Sequence, residues 1–364
     1  MTGKTLFRGF LLATFAAALS TAGCGGGGGK GGPEVKLTGA GASFPMPIYM
    51  RWFQDYTKQH PNVKVDYQSQ GSGAGVKAVL DSTVDFGASD GAMTPEEISK
   101  VKRGVVCLPM TAGSIVLCYN LPEVKDLKLS REAYANIFLG KITKWNDSAI
   151  AKCNPGVQLP DKDINVIVRA DSSGTSQVFT KHLSTINKDF AASPGESKMP
   201  NWPVGTKSKG SEGVTASLKT TPGSIGYVEY GYALGGKLPM ASLENKEGTY
   251  VAPTPAAAQA ALAGAPMPDD LIAWLPDPAG KEAYPIVTYT WLLCYRSYDD
   301  KTKLEALKDV INYCLTDGQK VSEQLGYVPL PASVVDKVKA AVGTISLEAK
   351  PAAGRMPPMA VQPR

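Results

Sequence analysis

Histidine is the scarcest chemically active residue in this chain: His60 and His182 are the only two among 364 residues. A multi-histidine metal site is therefore excluded, and imidazole acid/base chemistry has two candidates at most. His182 stands at helical spacing with Phe179 and Leu183, the pattern of a buried structural residue, and His60 precedes Pro61 at a turn. No cysteines form a CxxC pair, which removes zinc-ribbon and thioredoxin chemistry. No HExxH motif occurs and no nucleophile elbow is expected, so an enzyme is not indicated. The one GKT string, Gly3-Lys4-Thr5, lacks the glycine pattern of a nucleotide-binding loop. Beyond the N-terminal segment no run of about 18 apolar residues occurs, so the body has no membrane-spanning helix. Excess charge is missing too. The 38 basic and 33 acidic residues leave a net +5, too mild for a nucleic-acid partner. What remains is ordinary globular composition, 43% hydrophobic and 20% charged. At roughly 100–200 residues per domain, the length suggests about two domains.

Residues 1–23 read as a secretory signal. Lys4 and Arg8 give a positive start, Phe10 to Leu19 an apolar stretch, and Thr21-Ala22-Gly23 small residues before Cys24. The Gly-Cys junction resembles a bacterial lipoprotein processing site, in which Cys24 becomes the lipidated N-terminus. Thr21 stands where the usual pattern has Leu, and an ordinary cleavage site is the alternative. Residues 24–35 then form a tether, with Gly25 to Gly32 almost pure glycine broken by Lys30. Cleavage before Cys24 removes two basic residues and no acidic ones, so 36 basic against 33 acidic leave the mature chain at +3. Cys107, Cys118, Cys153, Cys294 and Cys314 remain. An exported compartment permits disulfides, yet an odd count leaves one thiol free, and several lie in apolar runs where Cys acts as a small hydrophobe.

Along the body, strand and helix signals alternate. Val63, Val65 and Tyr67 alternate with polar residues, as do Ile164, Val166 and Val168. VVCLPM and SIVLCYN are two short buried-strand candidates. Ile48, Trp52, Phe53 and Tyr56 recur at helical spacing, as do Val76, Val79 and Leu80, and Val178, Phe179, Leu183 and Ile186. This order implies an α/β fold with mainly parallel strands. The Pro/Ala/Gly-rich stretch near residues 252–268 reads as a surface excursion, and residues 346–364 as a disordered tail.

Three segments share one design, a Gly/Ser/Thr turn that opens a helix. They are Gly39-Ala40-Gly41-Ala42-Ser43-Phe44-Pro45, Gly71-Ser72-Gly73-Ala74-Gly75 and Asp171-Ser172-Ser173-Gly174-Thr175-Ser176. Helix N-termini present unpaired N–H groups at the positive end of the helix dipole, so anions bind there. Ordinary helix caps use the same residues, so one such turn says little. Three turns with Arg169 entering the third say more. Arg169 and Asp171 sit two apart, on one face of a strand. The guanidinium fork suits a tetrahedral oxyanion, with Asp171 holding it in place; a plain ion pair is the simpler reading. Val84 to Asp90 reads as a strand ending in an acidic turn. Asp90 fits an anion site only if the ligand carries a proton for the carboxylate to accept; otherwise it is a helix cap. Protonated phosphate offers such a donor, whereas sulfate does not.

LTGAGASFPMPIY, GSGAGVKAVLDSTVDFGASD, LGKITKWND, VIVRADSSGTSQVFT and PGSIGYVEY closely resemble the substrate-binding protein of the high-affinity phosphate ABC transporter, in order from Leu37 to about Ala341. The resemblance implies an α/β periplasmic-binding-protein fold (type II), two lobes joined by hinge strands with phosphate in the cleft. By residue, it implies that Ser43, the amide of Phe44, Ser72, Asp90, Arg169, Ser173, Gly174 and Thr175 hold phosphate, with Asp171 bracing Arg169. The family often has Thr where Ser43 stands and commonly Gly where Ser172 stands. The implied lobes are residues 36–110 plus 286–345 and residues 111–285, with crossings near Met110–Ser114 and Pro285–Thr288. The implied role is phosphate binding and delivery to a membrane permease by a lipid-anchored, periplasmic or cell-surface monomer, without cofactor or metal. A receptor for arsenate or another oxyanion and a phosphoester hydrolase are the alternatives.

Overall fold

The computed structural model describes residues 33–348. The signal segment, Cys24, the glycines of the tether and the tail beyond Glu348 lie outside the described residues. One mixed eight-stranded sheet runs through the molecule. In chain order its strands are β1 (Val35–Gly41), β2 (Val63–Ser69), β3 (Phe86–Ser89), β4 (Val105–Tyr119), β5 (Asn165–Arg169), β6 (Thr206–Ser208), β7 (Ser224–Glu229) and β8 (Val287–Tyr295). They lie in the order β2-β1-β3-β8-β4-β7-β5-β6. The outer wings, β2-β1-β3 and β7-β5-β6, are parallel, while β8 and β4 join them through antiparallel pairings.

Strand β4 is the spine. VVCLPM and SIVLCYN, expected as two strands, are one 15-residue strand buried along its whole length. Its first part pairs with β8 from Val105 to Ser114, and its last part pairs with β7 from Ile115 to Tyr119. Thr111, Ala112 and Gly113 carry the chain from one wing to the other without a break. Continuous burial explains the unbroken apolar pattern, since layers cover both faces.

Helices follow where the periodicity places them. In α1 (Met46–Gln59), Ile48, Tyr49, Trp52, Phe53 and Tyr56 are buried on one face, and Trp52 Nε1 donates to Gly318 O at 2.6 Å. The others that matter for the site are α2 (Ser72–Leu80), α3 (Gly174–Ile186) and α4 (Gly210–Thr220). Beneath the N-terminus of α3 lies an aromatic base: Phe179 stacks on Tyr227 at 4.5 Å, and Phe138 meets Phe179 edge-on at 4.8 Å.

Two expectations need correction. The stretch near 252–268 contains a helix, Pro255–Ala263, capped by Thr254 and burying Ala257, Ala258, Ala261 and Leu262. Alanine makes a thin apolar face that composition reads as linker. Ser346 and Leu347, assigned to the tail, pair in parallel with Ser297 and Tyr298. All five body cysteines are unpaired, four of them buried, which fits their apolar surroundings.

Candidate anion-binding site

Backbone hydrogen bonds gather the three turns. Gly41 O accepts from Gln70 N at 2.9 Å and Gly71 N at 2.8 Å, which ties the first turn to the second. Ala42 N donates to Ala88 O at 3.0 Å, which ties the first to β3. Gly73 N donates to Ser172 O at 2.9 Å, bridging the second turn to the third and one wing to the other. Two glycines are required here. Gly41 has φ +149°, and a Cβ on it would strike the Ala88 backbone. Gly71 has φ +95°, and a Cβ on it would strike the Asp171 carboxylate. Ser172, where the family commonly has Gly, packs its side chain against the bare Cα of Gly73, so the extra atoms are accommodated.

Asp90 is 1% exposed at the end of β3. It does not cap a helix; Thr94 caps the helix that follows. Thr290 on β8 donates to Asp90 Oδ1 at 3.0 Å. The other oxygen, Oδ2, takes Thr175 Oγ1 at 3.2 Å and Ser72 Oγ at 3.5 Å, the latter at the outer limit of a hydrogen bond. Burial pushes the Asp90 carboxyl up to about 6, against the opposing pull of the Thr290 hydrogen bond and the Arg169 charge.

Arg169 is 5% exposed and carries the positive charge of the site. Its Nε and Nη2 donate to the two oxygens of Asp171 at 2.9 and 2.5 Å, and Nη1 reaches Ser211 Oγ at 3.4 Å. Of the five guanidinium donors, two are left for a ligand. Asp171 is half-buried. Burial alone would raise its carboxyl, but the Arg169 fork and the Gly210 N–H outweigh this and hold it low.

Ser43 and Phe44 close the cage on the side of α1. Ser43 Oγ lies 3.0 Å from Ser211 Oγ and accepts Ser211 N at 3.1 Å. Phe44 is fully buried, and its carbonyl accepts Tyr327 Oη at 2.7 Å. Ser173 caps α3, accepting Ser176 N at 3.1 Å. A Cβ on Gly174 would press into Ser72 Oγ and the Asp90 N–H, so this glycine lets the third turn touch the second.

The capping alternative separates from the anion reading at the first two turns, whereas Ser173 does cap α3, and the helix Ala332–Gly343, away from the site, is uncapped as well. Helices α1, α2 and α4 open without any side-chain cap. By contrast, the helices starting at Pro95, Arg131, Ser148, Pro255 and Lys301 are capped by Thr94, Ser130, Asp147, Thr254 and Asp300. The N–H groups of Phe44, Ser72, Gly174 and Thr175 have no protein acceptor among the described residues. Buried N–H groups are rarely left unpaired, so this convergence is a socket for an acceptor-rich, anionic group.

Every site residue named from the sequence lies in this one constellation; only Cys24 falls outside the described residues. Two residues were not expected. Ser211 begins α4 after Gly210, a fourth turn of the same kind in KSKGSEG. Thr290 came from a strand with no local signal, because its role depends on the pairing of β8 with β3. One string also escaped: Gly87-Ala88-Ser89-Asp90-Gly91 spells G-x-S-x-G, against the expectation of no elbow. It is not an elbow in structure. Ser89 is buried and its hydroxyl donates to Gly91 O. His182 is buried between Tyr134 Oη at 2.8 Å and Pro276 O at 2.7 Å, and His60 stacks on Tyr56.

Two α/β wings on shared strands, with helix N-termini turned on one buried point, define a receptor of the periplasmic-binding-protein class. The model of the PBP superfamily domain matches residues 28–317. The chain is 41% identical over 308 residues to the phosphate-binding protein PstS of Pasteurella multocida, covering 84% of this chain and 89% of that one. It is 40% identical over 351 residues to PstS of Methanocaldococcus jannaschii, covering 87% and 89%. A high-affinity periplasmic phosphate-binding protein solved with phosphate, PfluDING, matches the fold with a TM-score of 0.69 at 21% identity, covering 84% of this chain and 93% of that one. The chain belongs to the PstS family of phosphate-binding proteins within the PBP superfamily.

The buried carboxylate has a measurable consequence. A carboxyl raised from 3.8 to about 6 on folding contributes stability that is complete below pH 3.8 and lost as pH rises through 6. Without ligand at neutral pH, ionised Asp90 therefore costs about 3 kcal/mol. Asp90→Asn is expected to raise the thermal midpoint of the ligand-free protein at pH 7–8, with the gain shrinking towards pH 4. A midpoint that falls at pH 7–8 would contradict this.

Proposed function

We propose that this chain binds inorganic phosphate in the cage of Ser43, Phe44, Ser72, Asp90, Arg169, Ser173, Gly174 and Thr175 and delivers it to the permease of an ABC transporter. The observation that carries the reading is a set of unpaired main-chain and Arg169 donors, joined by hydroxyls in exchangeable contacts, around one buried acceptor. Main-chain N–H groups, the Ser43, Ser72 and Thr175 hydroxyls and two Arg169 donors suit oxyanion oxygens. Asp90 Oδ2 suits a ligand hydroxyl, because its own contacts at 3.2 and 3.5 Å are weak enough to exchange. A protonated phosphate supplies both kinds of partner, and so does arsenate. Fully deprotonated sulfate leaves Asp90 facing a like charge. The relatives are named as binding proteins, and the role is binding without turnover.

Residues 36–110 with 286–345 and residues 111–285 are read as two lobes that close on the ligand, hinged where β4 and the start of β8 cross. Calorimetric titration tests the ligand. The expected result is tight phosphate binding, sulfate weaker by roughly a hundredfold or more, and a smaller gap between them in Asp90→Asn. Small-angle scattering of the same samples is expected to contract with phosphate. Equal affinity for the two anions in the unaltered protein would sink the proton-acceptor role of Asp90.

The chain is further read as an exported monomer, with residues 1–23 removed and Cys24 lipidated so that the glycine tether holds the receptor at a bacterial membrane surface. Among the described residues no helix is long and apolar enough to cross a membrane. Cys24→Ser is expected to release the protein from the membrane fraction and abolish palmitate labelling. Retention of both would refute the lipid anchor.

A further inference from the structure

We infer that Tyr232 is a positioning residue for the ligand, although it does not line the cage. This rests on the phosphate reading above. Tyr232 lies in the helix Tyr230–Gly236, which follows β7 and belongs to the wing opposite Ser43. Its hydroxyl donates to Ser43 O at 2.8 Å. That carbonyl belongs to the same peptide unit as the Phe44 N–H. In a trans peptide the C=O and N–H point in opposite directions. Ser43 O also accepts Met46 N at 3.1 Å within its own turn, so Tyr232 is a second hold on this carbonyl; together they turn the Phe44 N–H away from Tyr232, and this N–H has no protein acceptor among the described residues.

The next peptide reinforces the point. Phe44 O is held by Tyr327 Oη at 2.7 Å, and Pro45 has no N–H to offer. The Phe44 N–H is thus the last donor of the first turn, and two tyrosine hydroxyls set the planes on either side of it. A hydrogen bond accepted by the carbonyl also polarises the peptide and strengthens its N–H as a donor.

Tyr232 is held in turn. Glu229 caps its helix, accepting Gly231 N at 2.7 Å and Tyr232 N at 3.3 Å. Glu212 Oε1, 3.0 Å from Tyr232 Oη, is a second acceptor for the one phenolic proton that Ser43 O takes at 2.8 Å, and it also accepts Ser69 Oγ at 3.1 Å. Since Ser43 and Ser69 lie in one wing and Tyr232 and Glu212 in the other, the Tyr232 hold is made where the wings meet, and it adds to the holds that Met46 N and Tyr327 already supply within the first wing.

Tyr232→Phe keeps the ring and removes the hydroxyl, and Ser69→Ala removes the neighbouring cross-wing contact to Glu212 while leaving Tyr232 and Glu212 in place. Phosphate affinity and the amide NMR resonances of the phosphate-loaded protein are measured for each. Tyr232→Phe is expected to weaken phosphate binding about five- to tenfold, mostly through faster release. The Phe44 amide resonance is expected to move while those of Ser72 and Gly174 stay. In Ser69→Ala the Phe44 resonance is expected to stay. Undiminished affinity in Tyr232→Phe overturns the inference and leaves the phosphate reading intact. Weaker binding with an unmoved Phe44 resonance also overturns it, because Tyr232 would then act only as a clamp between wings. If the unaltered protein binds no phosphate, the reading fails and this inference fails with it.

Discussion

A buried carboxylate inside an anion site is the constraint from which the rest of this structure follows. Asp90 cannot be placed beside an oxyanion unless the ligand brings a proton and the surroundings supply enough positive potential. The chain provides the second without spending many formal charges. Among the described residues Arg169 is the one buried cation in contact with the cage, and Asp171 already neutralises much of it. The remaining potential comes from helix N-termini and hydroxyls, whose dipoles are fixed before any ligand arrives. That arrangement favours an anion while leaving Asp90 free to discriminate by hydrogen-bond direction.

The architecture holds this constraint in place from two sides. Strand β8 brings Thr290 to Asp90 Oδ1 and so leaves Oδ2 for Thr175 and Ser72. Helix α4 never reaches the cage with its N–H groups; it uses Gly210 N on Asp171 and Ser211 N on Ser43. Its positive end therefore supports the residues proposed to hold the ligand. The long strand β4 lets the two wings share one sheet, pairing with β8 up to Ser114 and with β7 from Ile115. Uncapped helix starts and an ionisable buried Asp90 both reduce the stability of the ligand-free protein. Both are functional features that a stability-optimised sequence would lose.

Much of this was legible in the sequence, for identifiable reasons. Helix α1 was readable because Ile48, Trp52, Phe53 and Tyr56 make a large apolar face. The three turns were readable because glycine beside Ser or Thr, placed between a strand and a helix, is a local signal. Thr290, Tyr232 and Tyr327 were not, because each acts across the sheet or between wings, where spacing along the chain carries no information. The join of VVCLPM to SIVLCYN was missed because Thr111-Ala112-Gly113 looks like a turn until both neighbouring strands are present. The helix Pro255–Ala263 was missed because alanine carries little pattern, although Thr254-Pro255 is a serviceable start signal. Ser211 was within reach, since Gly210-Ser211 repeats the design of the other turns.

The central claim is that Asp90 keeps a proton on the bound ligand. Phosphorus NMR of the phosphate-loaded protein, titrated from mildly acidic to mildly alkaline pH, tests it most directly. The account predicts a bound resonance that stays in place while the free phosphate signal moves through its ionisation. A bound resonance that titrates along with free phosphate would contradict it.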